Sequence, residues 1–172
     1  MIVVVMGVSG SGKTTIGSTL AARIGCEFPD GDEWHPQENV AKMAAGTSLT
    51  DADRWPWLDR LNALLHERVA RGESAVLACS ALKQAYRDRL AAGLERCEFV
   101  FLHGSYDLIR ERIAARRHRY MPASLLQSQF AALEPPARAI TVDVAQAPER
   151  CIEEISAVLG RRSGMKDQTL PN

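Results

Sequence analysis

The feature that most constrains the fold is a glycine-rich segment between an apolar run and a helical pattern. Residues 7–14 read GVSGSGKT and match G-x-x-x-x-G-K-[ST] at every fixed position. The apolar run Ile2–Met6 precedes the segment, and Lys13–Ile24 follows it with apolar residues at helical spacing. Backbone N–H groups in such a turn can surround phosphates, and the helix N-terminus adds partial positive charge. The segment therefore predicts a strand–loop–helix unit that binds a nucleoside triphosphate.

The positions of this phosphate loop have separate predicted roles. Lys13 is expected to reach the β- and γ-phosphates, where it neutralises charge during phosphoryl transfer and so acts as a catalytic residue. The Thr14 hydroxyl is the expected magnesium ligand. The alternative is a glycine-rich turn that binds no ligand. The residues expected to bind ATP here are Gly7, Val8, Ser9, Gly10, Ser11, Gly12, Lys13, Thr14 and Thr15.

Short apolar runs alternate with helical patterns along the whole chain. Their continuous apolarity is typical of strands buried on both faces of a parallel sheet. The predicted strands are Ile2–Met6, 26–28, 75–79, 99–102 and 140–144. The predicted helices are Lys13–Ile24, 53–69, 81–94, 106–117, 124–133 and 148–159. The alternation predicts an α/β fold with a doubly wound parallel sheet.

Length and composition predict one ordinary domain. The chain has 172 residues, 46% of them hydrophobic, and we expect a single domain over 1–160 followed by a flexible tail over 161–172. The 21 basic residues equal the 21 acidic ones, so no overall basic field favours nucleic acid or a membrane surface. No apolar stretch reaches about 18 residues, and no signal peptide is recognisable, so we expect a cytoplasmic protein. The cysteines form no CxxC pair and are expected to be reduced and mostly buried.

Polar residues follow the second and third apolar runs, where the carboxyl ends of parallel strands line a ligand crevice. Asp32 could accept a proton from an attacking hydroxyl, although an Asp-Gly turn satisfying its own backbone is the alternative. Arg54 lies in a first helical turn, where the helix dipole disfavours a cation, so an anionic substrate would explain it. Ser80 is predicted to cap a helix or to face the crevice. Lys83 and Arg87 are either an anion-binding rim or a solvated stripe.

Tryptophan residues lie beside Arg54 in the same helical pattern. Trp55 and Trp57 are expected to be core or lid-packing residues rather than platforms for a sugar. Thr50 or Asp51 is the expected N-cap of their helix.

Arginines crowd one short segment of the second half, namely Arg110, Arg112, Arg116, Arg117 and Arg119. Their mutual repulsion costs stability unless an anion binds. A lid over about residues 112–130 could lower such arginines onto ATP and exclude water. Arg112 and Arg116 are spaced to share one helix face. Nucleic-acid binding and a plain solvated helix are the alternatives.

Longer blocks of residues are more selective than the phosphate loop. They read DGDEWHP at 30–36, LTDADRWPWL at 49–58, CSALKQAYRD at 79–88 and SQFAALEP at 128–135. With these blocks, over about residues 2–159, the chain resembles the gluconate kinases, small phosphate-loop kinases related in fold to shikimate and adenylate kinases. One departure lies in the lid, where the resemblance leads us to expect His-Phe and this chain has Arg119-Tyr120.

The resemblance implies a reaction and an architecture. The reaction is ATP-dependent phosphorylation of D-gluconate at its 6-hydroxyl, with Mg²⁺ beside the phosphates. The architecture is a five-stranded parallel sheet of order 2-3-1-4-5, with helices on both faces and a mobile lid. Members of this family are often dimers, so a homodimer is an expectation that the sequence itself leaves open.

The resemblance also assigns individual residues. It implies that Asp32 lies near the acceptor hydroxyl, Arg112 and the catalytic Arg116 on the ATP side, and Pro148 beside the adenine. The substrate-binding residues are expected to be Asp32, His35, Arg54, Ser80, Lys83 and Arg87. A kinase for another acidic acceptor, such as shikimate, is an alternative, although shikimate kinases usually have Gly-Gly-Gly where this chain has Cys79-Ser80-Ala81. A nucleotide-binding regulatory protein without transferase activity is a further alternative.

Overall fold

A parallel β-sheet with helices on both faces organises the chain. The computed structural model describes residues 1–115 and 123–163. The strands are β1 (Ile2–Met6), β2 (Ala75–Ala78), β3 (Cys97–His103) and β4 (Ile140–Asp143). They lie in the order β2-β1-β3-β4, and every pair is parallel. The predicted doubly wound α/β fold is confirmed.

Seven α-helices connect and cover the strands in the described residues. They are α1 (Lys13–Ile24), α2 (Gln37–Ala44), α3 (Asp51–Ala70), α4 (Gln84–Ala91), α5 (Tyr106–Ala114), α6 (Ala123–Ala132) and α7 (Pro148–Ser163). A 3₁₀ turn, Gly31–Trp34, precedes α2. Neither this turn nor α2 was predicted, because both lie in a short polar segment with little apolar periodicity. Helix α7 runs to Ser163, so the prediction of a flexible tail is wrong for residues 161–163, while 164–172 lie outside the described residues.

The predicted strand at 26–28 is the main departure from the expected sheet. Within the described residues the sheet has four strands, so the five-stranded order 2-3-1-4-5 is not confirmed. Instead, Glu27 and Asp30 each form one isolated parallel bridge to β2, at Ala75 and Ala78. Pro29 has no N–H to donate, which shortens any ladder here. The segment thus lies along the β2 edge without becoming a continuous strand.

Side chains on both faces of β1 are buried. Val3 and Val5 contribute to one apolar cluster with α1, α5 and α7, while Ile2, Val4 and Met6 contribute to another with α3 and α4. This two-sided burial explains the uninterrupted apolar run in the sequence. Over the described ranges, no helix combines the length and apolarity needed to cross a membrane.

The cysteines are free thiols, as predicted. Cys79 and Cys151 are buried, whereas Cys26 and Cys97 are half-buried. Burial raises the pKa of Cys79, which follows β2, to about 12. This thiol is therefore neutral at physiological pH and is not a nucleophile.

A capping box fixes the start of α3. The Thr50 hydroxyl accepts from the Asp53 N–H, and the Asp53 carboxylate accepts from the Thr50 N–H, so Thr50 is the N-cap. Hydrogen bonds from Lys42 and from Thr50 lower the pKa of Asp53 to about 2. The capping box and these hydrogen bonds anchor the first turn of α3. They therefore fix the positions of Asp51 and Arg54, which lie one helical turn apart.

Candidate active site

A cavity of about 600 Å³ opens where the phosphate loop, the start of α3 and helix α6 meet. Ser9, Lys13 and Thr14 line one part of it, which we call the nucleotide side. The other part, which we call the acceptor side, is lined by residues from the 3₁₀ turn, the first turn of α3 and the segment after β2. The lining residues of that side include Asp32, His35, Asp51, Arg54, Ser80, Lys83 and Tyr86.

Glycines allow the phosphate loop to turn tightly. Gly7 has a φ of 143°, and a Cβ there would lie 2.9 Å from the Leu102 carbonyl oxygen. Gly12, the N-cap of α1, has a φ of 99°. Val8 and Ser11 are buried behind the loop. Gly7, Val8 and Ser11 therefore shape the loop from behind, while its other predicted residues line the cavity.

The Lys13 ammonium lies over the loop itself. Its Nζ donates to the carbonyl oxygens of Gly7 and Val8, both at 3.1 Å. The amine is thus held at the mouth of the loop, where a triphosphate would offer it stronger anionic acceptors.

Oxygen atoms from Thr14 and Asp30 meet at the floor of the cavity. Thr14 Oγ1 donates to Asp30 Oδ2 at 3.0 Å, and Asp30 Oδ1 accepts from the Asp32 N–H at 3.1 Å. Such oxygen atoms are ligands that Mg²⁺ prefers, and Mg²⁺ commonly uses few protein ligands plus substrate phosphates. The described residues contain no cluster of three or more His, Cys, Asp or Glu side chains that could hold a metal. The residues present therefore fit Mg²⁺ held partly by phosphate, and Asp30 is a site residue that the sequence prediction missed.

His35 is fixed by a stack against the core. Its ring lies 4.0 Å from the Trp57 ring centroid with an interplanar angle of 18°. Trp57 is 1% exposed, and its Nε1 donates to the Gly31 carbonyl at 2.8 Å, so its predicted core role is confirmed. Burial lowers the pKa of His35 below 6.5. The imidazole is therefore neutral at physiological pH and offers one donor and one acceptor.

A carboxylate on the acceptor side holds a lysine and a tyrosine. Lys83 Nζ lies 2.8 and 2.9 Å from the two carboxylate oxygens of Asp51, and the Tyr86 hydroxyl donates to Asp51 Oδ1 at 2.5 Å. These hydrogen bonds, from Lys83 first and then Tyr86, lower the pKa of Asp51, and Asp51 in turn raises the pKa of Lys83. The predicted solvated stripe is therefore wrong for Lys83. Asp51 and Tyr86 were not predicted as site residues.

Arg54 lies beside this group. Its guanidinium is 5.6 Å from the Tyr86 ring centroid and donates to the Leu49 carbonyl. Among the described residues, Arg54 forms no ion pair with a carboxylate. Its charge is therefore available to an anion in the cavity, as its position in the first helical turn had indicated.

Arg87 departs from its predicted place. Its side chain is 3% exposed, and its Nη1 donates to the carbonyls of Ala81 and Leu82 at 3.0 and 3.1 Å. It lies outside the set of residues that line the cavity. Its guanidinium instead supports the loop after β2 from behind, so a direct contact with substrate is wrong for this structure.

The same loop explains why α4 begins late. Ala81 has a φ of 43°, which a right-handed helix cannot include, and α4 starts at Gln84. The predicted helix start at residue 81 and the predicted cap by Ser80 are therefore wrong. Ser80 faces the cavity instead.

Helix α6 contacts both sides of the cavity. The Gln129 amide accepts from the Ser9 N–H at 2.7 Å and donates to Ser9 Oγ at 3.1 Å. On the acceptor side, the hydroxyls of Ser128 and Ser48 are 3.1 Å apart. Residues 123–130 of this helix belong to the predicted lid, and the contact of Gln129 with the phosphate loop was not predicted.

The remaining predicted residues lie beyond the cavity lining. Arg112 Nη2 donates to the Val144 carbonyl at 2.5 Å, which brings α5 against the loop after β4. Pro148 is exposed at the start of α7. Arg116 lies outside the described residues.

A phosphate loop after the first strand of a parallel sheet, with carboxylates facing it across one cavity, defines a phosphate-loop kinase. A family model described as an AAA domain matches residues 2–136. The thermosensitive gluconokinase of Escherichia coli K12 is 41% identical, with 95% of this chain and 92% of that protein covered. The chain belongs to the gluconokinase family.

Solved structures agree with this assignment. A gluconokinase from Sinorhizobium meliloti 1021 superposes with a TM-score of 0.84 at 46% identity, covering 94% of this chain and 93% of that one. A shikimate kinase from Aquifex aeolicus shares the fold with a TM-score of 0.57 at 19% identity, covering 96% of this chain and all of that one. The second likeness concerns the fold alone.

Proposed function

We propose that this protein transfers the γ-phosphate of ATP to the 6-hydroxyl of D-gluconate, giving 6-phospho-D-gluconate and ADP. The observation that carries the proposal is one cavity with a phosphate loop on one side and both Asp32 and Arg54 on the other. A hydroxyl acceptor that bears a carboxylate needs both a proton acceptor and a cation, and this cavity offers both. Membership of the gluconokinase family supports gluconate as that acceptor.

On the nucleotide side, backbone amides of the phosphate loop bind the triphosphate. Lys13 exchanges its carbonyl acceptors for phosphate oxygens and stabilises the charge that develops during transfer. Thr14 and Asp30 would hold Mg²⁺, which when bound neutralises part of the phosphate charge. The phosphate loop fixes Lys13 and Thr14 in advance, and the bridge to Ala78 of β2 fixes Asp30, so little reorganisation accompanies the reaction.

On the acceptor side, side chains orient the sugar acid. Asp32 accepts a hydrogen bond from the 6-hydroxyl and takes its proton as the new P–O bond forms. Arg54 binds the carboxylate, while His35, Ser80 and Lys83 hydrogen-bond to hydroxyls along the chain. Arg87 supports the loop that carries Ser80 and Lys83. We assign it this role in place of the predicted contact with substrate.

The lid completes the proposal. We assign residues 112–130 to a lid on a single kinase domain over 1–160, with Arg112 and Arg116 directed to ATP when the lid closes. Pro148, near the Val144 carbonyl that Arg112 contacts, belongs to the adenine side. The proposal also includes a homodimer located in the cytoplasm. Neither nucleic acid nor a membrane is a proposed partner, since the reaction requires only ATP and a small sugar acid.

An assay of ADP release tests the reaction. We expect turnover with D-gluconate and none with shikimate or nucleoside monophosphates. Asp32→Asn should lower kcat by about 10²-fold or more and leave the KM for ATP unchanged, because the variant keeps the shape and loses the proton acceptor.

Glu33→Gln provides the matched control, since Glu33 is an exposed carboxylate next to Asp32 and outside the cavity lining. It should retain normal kcat. Absence of gluconate turnover in the unaltered protein would reject the reaction, and ATP binding without any acceptor would favour the regulatory alternative. Normal turnover in Asp32→Asn would reject the role of that residue alone.

A further inference from the structure

We infer that Asp51 determines specificity by charge: it holds Lys83 and leaves Arg54 as the acceptor-side cation, among the described residues, that pairs with the anionic group of the substrate, so that this side selects a group with one negative charge. This inference rests on the proposed function, because it concerns the end of the substrate opposite the reacting hydroxyl. It assigns to Asp51 a role in choosing the acceptor and none in the transfer itself.

The first observation is that the pair faces the cavity. Both carboxylate oxygens of Asp51 lie within 2.9 Å of Lys83 Nζ. The side chains of Asp51 and Lys83 are 48% and 32% exposed, and both residues line the cavity. A salt bridge enclosed in the core would not contact a substrate, whereas this one meets any molecule that enters the cavity.

The second observation is the arrangement of cations around one ring. The Arg54 guanidinium and Lys83 Nζ each lie 5.6 Å from the centroid of Tyr86, while the Tyr86 hydroxyl binds Asp51. Tyr86 thus contacts both cations, and its hydroxyl fixes the carboxylate that pairs with Lys83. Because Tyr86 is 3% exposed, its own position is set by packing.

The charges of this group then add simply. Within the group formed by Asp51, Arg54, Lys83 and Tyr86, Asp51 and Lys83 cancel, and Arg54 forms no ion pair in the described part of the chain, so these four residues carry one net positive charge. Asp32 is counted separately, because the proposed function places it at the reacting hydroxyl. A carboxylate, with one negative charge, matches it. A phosphate monoester, with nearly two negative charges at neutral pH, would bring excess negative charge close to Asp51, and like charges at short range in a cavity repel strongly.

A series of three compounds tests the inference, because each keeps the 6-hydroxyl and differs in the charge at carbon 1. They are D-glucitol, D-gluconate and D-glucitol 1-phosphate, with approximately zero, one and two negative charges. In the unaltered protein we expect kcat/KM to be highest for D-gluconate. In Asp51→Asn, which releases Lys83, the ratio of kcat/KM for D-glucitol 1-phosphate to that for D-gluconate should rise about tenfold or more.

Two variants separate this effect from a general disturbance. Asp59→Asn removes another ion pair between α3 and α4, with Arg89 at 2.5 Å, outside the cavity lining. It should leave the ratio unchanged. The double variant Asp51→Asn with Lys83→Met should return the ratio toward that of the unaltered protein, since the released cation is then absent.

Calorimetric titration with the same compounds reads the charge preference without turnover. An unchanged ratio and unchanged relative affinities in a folded Asp51→Asn protein would overturn the inference. Retention of the gain in the double variant would also overturn it, because the gain would not come from Lys83. Failure of the proposed function would appear separately, as absence of gluconate turnover in the unaltered protein.

Discussion

The two sides of the cavity are built in different ways. The nucleotide side consists of a continuous stretch of backbone at the end of β1, with Lys13 and Thr14 in the same stretch. The acceptor side consists of side chains from three separate segments, represented by His35, Arg54 and Lys83. Phosphate binding therefore depends on one local turn, whereas recognition of the acceptor depends on how the 3₁₀ turn, α3 and the loop after β2 pack together.

Substitution of Lys13 should have the largest effect and should affect catalysis rather than the choice of acceptor. Lys13→Met should lower kcat by about 10²–10³-fold, because it removes a positive charge from the phosphates in the transition state. Arg23→Met is a matched control, since Arg23 is an exposed cation in the last turn of the same helix and outside the cavity lining. Steady-state kinetics with saturating gluconate measures both, and near-normal kcat in Lys13→Met would contradict the prediction.

Substitution of Arg54 should affect the acceptor side of the cavity and leave the nucleotide side unchanged. Arg54→Met should raise the KM for D-gluconate about 10–100-fold, because the substrate loses a charge-assisted hydrogen bond. The KM for ATP should stay constant. The measurement is a pair of substrate titrations, one for each substrate. A rise in the KM for ATP instead would assign Arg54 to the nucleotide side.

Substitution of Arg87 should affect stability first. Arg87→Met removes the donor to the Ala81 carbonyl and one of two donors to the Leu82 carbonyl, which also accepts from the Glu134 N–H. The loss should cost roughly 1–3 kcal/mol of the free energy of unfolding. Arg89→Met, on the exposed face of the same helix, should cost less. Denaturant titration compares them, and a large rise in the KM for D-gluconate with unchanged stability would restore Arg87 as a substrate ligand.

Titration of His35 should produce the smallest effect. Because burial lowers its folded-state pKa below 6.5, the unfolded chain binds more protons as the pH falls through 6.5. His35 therefore costs no stability well above pH 6.5 and destabilises the fold below it, with a slope of at most about 1.4 kcal/mol per pH unit. The difference in unfolding free energy between the unaltered protein and His35→Gln, followed from pH 7.5 to 5.5, should show this slope. Equal pH dependence in both proteins would contradict it.

The difference between the two sides also explains what the sequence could predict. The phosphate loop and the buried strands were predicted because residues 7–14 and Ile2–Met6 express their structure through contiguous residues. Arg54 was predicted from its place in a first helical turn, and His35 from the polar groups that a gluconate site needs; both line the cavity. The segment at 26–28 was predicted to be a strand, which is not confirmed. A short apolar run does not show that pairing with β2 consists of isolated bridges.

The errors and omissions on the acceptor side have a common physical cause. Arg87 and Lys83 are spaced to share a helix face, but α4 begins only at Gln84, so Lys83 faces the cavity and Arg87 is buried behind it. Asp51 was predicted only as a possible helix cap, since its partner Lys83 is far away in the sequence. Gln129 reaches Ser9 across 120 positions. Such pairings arise from packing and have no local signal.

Helix α6 has a thermodynamic consequence, because neighbouring residues of one rigid element contact opposite walls of the cavity. Gln129 binds the phosphate loop at Ser9, and Ser128 meets Ser48. A molecule that shifts the helix from one wall changes its contacts with the other. By thermodynamic reciprocity, occupancy by ATP and occupancy by the sugar acid then alter each other's dissociation constants by the same factor. Affinities measured with one compound alone would therefore differ from those of the ternary complex.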